Sequence, residues 1–322
     1  FQTVDEFIDA FNDGKVQEEL ITLGKYYAWV YKEKDVTMQF ENVNQADIIY
    51  PIHVQKWQKA LHQYFVEKSF DNVIIDPSTQ RLSYVAFANT KGLVELPYAP
   101  EKGVISLEYL QNPLQRKMYI EKWYNTVSMG KKLILPYHYI SNTDYSVDKV
   151  EDWIKINIQL IDESSKIVES GKEKYAMISI GLGHLVFQAD RILSYFVHAN
   201  VDGFIVQVSD MKQLNEQSLR SYIEFMINLQ KYTNKNVIAL KVPISLGLAL
   251  LAKGIHGFSL GLASIDYFDE QYIKEEKDAF NLYSKFYFPQ VLSFLSYPKK
   301  DFSNYMIILE GVIVGGVEEK QQ

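Results

Sequence analysis

From residue 70 onward the chain repeats one theme: a short apolar run rich in branched residues, a polar loop, then an amphipathic stretch of helical period. The runs are Asn72-Val73-Ile74-Ile75-Asp76, Leu93-Val94-Glu95-Leu96-Pro97 and Leu133-Ile134-Leu135-Pro136-Tyr137. They continue with Ala176-Met177-Ile178-Ser179-Ile180, Phe204-Ile205-Val206-Gln207-Val208, Val237-Ile238-Ala239-Leu240-Lys241 and Gly257-Phe258-Ser259-Leu260. Runs that stay apolar without alternating are what strands covered on both faces require.

The stretches between them predict helices. Pro113 to Val127 carries Leu114, Met118, Ile120, Trp123, Tyr124 and Val127 at helical spacing. Val150 to Val168 presents Trp153, Ile154, Ile158, Leu160, Ile161 and Ile167, and stops at Ser170-Gly171. Asn215 to Tyr232 opens on an asparagine suited to N-capping and ends before Thr233-Asn234. Strand, helix and strand joined by short connections argue for parallel pairing with right-handed crossovers. Seven strands of this kind, with Met306-Ile307-Ile308-Leu309 as a candidate eighth, favour an α/β fold of the (β/α)8 TIM-like barrel type, complete or decorated. No Gly-x-Gly-x-x-Gly follows any of the runs, which counts against a dinucleotide-binding domain.

Residues 1–70 read differently, as an N-terminal mainly helical cap or extension on a barrel domain spanning 71–322. Val4 to Phe11 and Pro51 to Val66 are the expected helices, and Val36 to Phe40 an expected strand. Ile244 to Ile265 is long enough to cross a bilayer, but Lys253 and His256 sit near its middle, where an ion is costly. Gly254 and Gly257 divide it into a helix and a short strand. The amino terminus shows neither a basic n-region nor an apolar h-region, and the expectation is a soluble cytoplasmic chain with no membrane partner.

Composition narrows the chemistry. The 322 residues include no cysteine, so disulfides, thiolate nucleophiles, iron–sulfur clusters and cysteine zinc sites are excluded. A net charge of −7 does not support nucleic-acid binding through the phosphate backbone. No motif names a cofactor, and the histidines show neither His-x-His nor His-Glu-x-x-His spacing, so no metal site is expected.

In a barrel, function gathers at the carboxyl ends of the strands. That rule selects Asp76, His138, His184, Asp210 and Lys241 as catalytic candidates, with Arg81, Glu95, Tyr98, Gln207, Gly261 and Ser264 as substrate-binding candidates. Asp76 and Asp210 each close an apolar run, His138 lies between two tyrosines, and His184 follows Gly181-Leu182-Gly183. Lys241 ends an aliphatic strand, where desolvation lowers an amine pKa and makes it nucleophilic.

These groups suit acid–base chemistry, a hydrolysis or group transfer, on a small polar substrate that is sugar- or nucleotide-like. The position of Lys241 resembles that of the Schiff-base lysine on the sixth strand of class I aldolases, which would imply a lyase. The barrel rhythm resembles that of the tRNA-guanine transglycosylases, although their Cys-x-Cys-x-x-Cys zinc segment is missing here. A non-catalytic role in a protein assembly would use the aromatic stretch from Phe280 to Tyr297, which otherwise reads as a helix covering the barrel.

Overall fold

The computed structural model describes residues 25–29, 47–56, 58–84, 92–101, 104–142, 147–211, 215–261, 270, 283–288 and 293–298. Eight parallel strands close into a barrel: β1 (Lys25–Trp29), β2 (Asp47–Pro51), β3 (Val73–Asp76), β4 (Lys132–Ile134), β5 (Glu173–Gly181), β6 (Gly203–Ser209), β7 (Asn236–Leu240) and β8 (Gly257–Gly261). Pairing of β1 with β8, Tyr27 opposite Ser259, completes the ring. The helices are α1 (Lys59–Glu67), α2 (Leu107–Gln111), α3 (Pro113–Val127), α4 (Val147–Ile167), α5 (Leu182–Phe196), α6 (Glu216–Thr233) and α7 (Ile244–Ala252).

Strands β2 to β7 are largely apolar on both faces because both are covered. Inside the barrel Ile49, Ile74, Ile134, Tyr175, Met177, Ile205, Ile238 and Leu240 form one buried cluster. Their sequence neighbours Ile48, Ile75, Leu133, Ala176, Phe204, Val237 and Ala239 belong to the second cluster, which includes the helices. Helix ends follow the capping chemistry: Asn112 accepts from Leu114 and Gln115 N–H at the start of α3, and Asn215 from Ser218 N–H at the start of α6. At the amino-terminal end of the strands Lys132 reaches both carboxylate oxygens of Asp47, at 2.9 and 3.0 Å, among largely buried side chains.

Several elements differ from the sequence-based expectation. The segment before residue 70 supplies β1 and β2 as well as α1, so the strand count begins there and not at Val73. Lys25-Tyr26-Tyr27-Ala28-Trp29 lacks the aliphatic run that marks the other strands. Leu93 to Pro97 is a turn: Leu93 and Leu96 are buried, Val94 and Glu95 exposed, and Leu96 N–H bonds back to Leu93 O. Spacing of three between buried positions suits a turn, and Pro97 has no N–H to give a strand ladder. Lys241 therefore follows the seventh strand, and the likeness to the sixth-strand aldolase lysine falls with the strand count.

The described part of the Ile244 to Ile265 segment, up to Gly261, breaks as expected into α7 and β8 around Gly254, and no helix among the described residues is long and apolar enough to cross a membrane. The chain divides into two compact units, Phe1–Glu275 and Glu276–Gln322. Within the second, β9 (Tyr283–Phe288) and β10 (Ser293–Pro298) pair antiparallel, so the described parts of the aromatic stretch are strands where a helix was expected. Val4 to Phe11, Val36 to Phe40, Ser264 and Met306 to Leu309 lie outside the described residues.

Candidate active site

The carboxyl ends of the strands carry two polar clusters. The first is built on β3. Asp76 continues the inward face of Ile74 and is fully buried. Its Oδ1 accepts from Ser78 N–H at 2.9 Å and from the Tyr137 hydroxyl at 3.0 Å, and its Oδ2 accepts from the Ser78 hydroxyl at 3.2 Å. With that single proton on Asp76, Ser78 Oγ accepts from His53 Nδ1–H at 3.0 Å. Burial raises the Asp76 pKa, against the opposing pull of the Ser78 N–H, the Tyr137 hydroxyl, Arg81 and Lys241. Burial first and Arg81 second lower the Lys241 amine to about 8, with Asp76 acting in the other direction. His53 is held neutral by burial first, then by Arg81 and Lys241. Asp76, Arg81, Lys241 and His53 thus lie within electrostatic reach of one another.

The second cluster lies on β5 and β6. Asp210 Oδ2 accepts from Asn142 Nδ2 at 2.8 Å and from the Ser209 hydroxyl at 2.6 Å, and its Oδ1 from Glu270 N–H at 3.1 Å. Asn142 also caps α5, taking Gly183 N–H on its Oδ1 at 3.0 Å. Gly181 makes this approach possible: a Cβ there would stand 2.1 Å from Asn142 Oδ1 and 2.8 Å from Asn142 N. The glycines before His184 therefore admit an asparagine side chain to the helix terminus. His184 Nε2 is 2.8 Å from Ser141 O, which can only accept, so Nε2 donates there and the contact selects the tautomer with Nδ1 as the acceptor. Ser141 in turn donates to Glu270 Oε1.

One segment connects the clusters. Between the Ile134–Tyr175 and Ile140–Ile180 pairings the chain after β4 spends six residues against five on β5, which is a bulge. The extra residue shifts the alternation, so that Tyr137 and Tyr139 face inward. Tyr137 reaches Asp76, and Tyr139 donates to Ser209 Oγ at 2.9 Å. His138 is turned outward, stacked on Trp153 with centroids 5.6 Å apart and close to Tyr119 on α3. Its Nδ1 meets the Ser83 hydroxyl, and burial pulls its pKa down to about 3. Plain alternation from Ile134 would have aimed it into the barrel; the structure places it in the wall, away from both clusters.

The remaining candidates separate in the same way. Tyr98 is buried and donates to Pro77 O at 2.6 Å, buttressing the turn after Asp76. Gln207 faces inward and accepts from Ser179 Oγ at 3.0 Å. Glu95 pairs with Lys56 at 3.5 Å on an exposed turn, apart from either cluster. Gly261 ends β8. His53, Asn142 and Glu270 escaped the sequence reading. His53 follows the apolar run Ile48-Ile49-Tyr50 and had that signal, whereas Asn142 and Glu270 sit in polar stretches with none. Among the described residues no three His, Cys, Asp or Glu side chains gather to hold a metal ion.

Of the six non-glycine residues with positive φ among the described residues, three lie in these clusters, and Ser69, Phe70 and Asn234 lie elsewhere. Ser78, Asp210 and Lys241 all have positive φ, at 55°, 61° and 57°. Left-handed backbone at non-glycine residues costs about 1 kcal/mol each and concentrates at functional sites. Three strand ends hold it here, each carrying a polar side chain of one of the two clusters.

Fold and site together define a closed (β/α)8 barrel with polar, ionisable clusters at the carboxyl ends of its strands. No protein-family model and no curated protein matches the chain. Among solved structures it is similar to xylanase B from Clostridium stercorarium F9, at 11% identity over 76% of this chain and 85% of that one, with a TM-score of 0.43. It is also similar to a provisionally assigned lyase/mutase from Burkholderia cenocepacia J2315, at 10% identity over 76% of this chain and 80% of that one, with a TM-score of 0.39. Likeness at this level speaks to neither chemistry nor substrate.

Proposed function

We propose that the chain is a barrel enzyme performing acid–base chemistry, a hydrolysis or group transfer, on a small polar substrate of sugar- or nucleotide-like character. The supporting observation is the convergence of Asp76, Arg81 and Lys241 at the ends of β3 and β7, with the carboxyl pushed up and the amine pulled down in pKa. Both shifts bring the groups toward the range where protons exchange near neutral pH. Asp76 is the proton-transferring carboxylate, held in place by Ser78 and Tyr137. Lys241 and Arg81 stabilise negative charge as it develops on the substrate. Asp210 and His184 contact the substrate from the second cluster. His138 has no part in the reaction.

The test is a panel of chromogenic glycosides, phosphate esters and carboxylic esters assayed with the wild-type chain and with Asp76→Asn. An activity that falls at least about a hundredfold in the variant, with the circular dichroism spectrum unchanged, supports the reading. An activity indifferent to Asp76→Asn overturns it. The lowered Lys241 amine also favours a second reading, imine formation with a carbonyl substrate. Borohydride reduction in the presence of pyruvate or dihydroxyacetone would then add mass at Lys241, whereas the acid–base reading expects no adduct.

A further inference from the structure

The second cluster opens onto a cleft of about 460 Å³ lined by Asn142, Gly183, His184, Phe187, Gln188 and Asp210. That volume is within the range of small-ligand sites. Phe187 stands on its rim at 84% exposure, the most exposed large apolar side chain among the described residues. It also borders a neighbouring cleft of about 680 Å³ between α5 and α6, so its ring is open on two sides. Backbone geometry favours this position. Immediately after Phe187 the helix is interrupted at Gln188, with φ −138° and ψ 19°. One turn earlier Gly183 has no side chain to cover the ring, and helical side chains lean toward that turn. Since α5 starts where β5 ends, the lean is toward the barrel mouth.

The ionisable groups of the lining, Asp210 and His184, offer acceptors, beside the amides of Asn142 and Gln188 and the Ser218 hydroxyl. Asp210 accepts three hydrogen bonds, two on Oδ2 and one on Oδ1, which leaves acceptor capacity on Oδ1. His184, with its proton fixed on Nε2 by Ser141 O, has Nδ1 as an acceptor. An anionic ligand would meet the Asp210 carboxylate; a ligand rich in hydroxyl donors satisfies it. A saturated ring with C–H groups on one face and hydroxyls around its edge fits both the aromatic platform and the acceptors.

We propose that this cleft is a binding subsite for a neutral polyhydroxylated ring, a pyranose, stacked on Phe187 and hydrogen-bonded by Asp210 and His184. This deepens the substrate class of the reaction proposed above and rests on it for what is done to the substrate, while the binding itself is separately measurable. Saturation-transfer NMR on the intact chain with methyl gluco-, galacto-, manno- and xylopyranosides tests it. At least one should receive saturation on its ring protons. Phe187→Ala, a change at an exposed side chain, should weaken that binding about tenfold. Phe187→Trp should keep it, with indole emission changing on titration. Asp76→Asn should leave it unaltered, so that loss of the proposed chemistry and loss of the subsite are told apart. The proposal falls if none of the four pyranosides binds the wild-type chain, or if Phe187→Ala binds as well as wild type. It falls equally if Phe187→Ala dissolves a self-associated species in sedimentation while no pyranoside binds either form, because the ring would then belong to a protein interface.

Discussion

Replacing Lys241 with methionine is expected to stabilise the barrel near neutral pH. The native amine has its pKa lowered from 10.5 to about 8 by burial and by Arg81. About 2.5 pH units at 1.36 kcal/mol each make the native protonated form about 3 kcal/mol less favourable than the same group in the unfolded chain. Between pH 8 and 10.5 the unfolded state holds a proton that the native state has released, so stability rises with pH across that window. The penalty is complete below pH 8 and absent above 10.5. That net penalty already contains the attraction to Asp76 that the substitution removes. Lys241→Met should therefore gain about 3 kcal/mol at pH 7, with the advantage fading as the pH approaches 10.5. Lys241→Gly should gain a further part of the roughly 1 kcal/mol stored at φ 57°. Urea unfolding of wild type and variants at pH 7, 8, 9 and 10 measures this, because the difference between chains cancels the tyrosines that titrate in common. A variant less stable than wild type at pH 7 would refute the reasoning, as would a difference that stays constant from pH 7 to 10. A stability gain accompanied by loss of activity is the trade expected of a functional group held in an unfavourable place.

Two further outcomes follow from the wall and floor of the barrel. His138, at about 3 in the native state against 6.5 unfolded, makes stability fall as pH drops from 6.5 toward 3, by up to about 5 kcal/mol. His138→Phe keeps the stacking on Trp153, so its acid-unfolding midpoint should move to lower pH; coincident midpoints would disprove the assignment. In the buried Asp47–Lys132 pair, Lys132→Met alone should cost about 3–5 kcal/mol in urea unfolding by stranding a carboxylate. The double change Asp47→Leu with Lys132→Met should recover most of it, and a double variant as unstable as the single one would show that the pair is not what the single change disrupts.

Much of the architecture was legible from local pattern. The runs at Val73–Asp76, Ala176–Ile180, Phe204–Val208 and Val237–Leu240 read as strands covered on both faces, because they are apolar on both faces except for single polar residues toward their carboxyl ends, Asp76, Ser179 and Gln207. Pro113–Val127 was bounded by a capping asparagine before its proline. Recognition failed where a strand's sequence is aromatic rather than branched aliphatic, as in Lys25–Trp29, Tyr283–Phe288 and Ser293–Pro298.

The sequence by itself determined that strands and helices alternate, that the strands are buried on both sides, and that polar residues such as Asp76, Asp210 and Lys241 terminate them. Those are properties of a residue and its immediate neighbours, and periodicity records them. Tertiary structure alone decided which polar ends meet. Closure through β1 and β8 fixed the rank of every strand, and one extra residue after β4 turned Tyr137 and Tyr139 inward and His138 outward. A loop asparagine reached the start of α5 because a glycine 39 residues further along the chain left room for it. Register and closure depend on pairings between strands that lie far apart in sequence, and a period of two or of 3.6 residues holds no information about them.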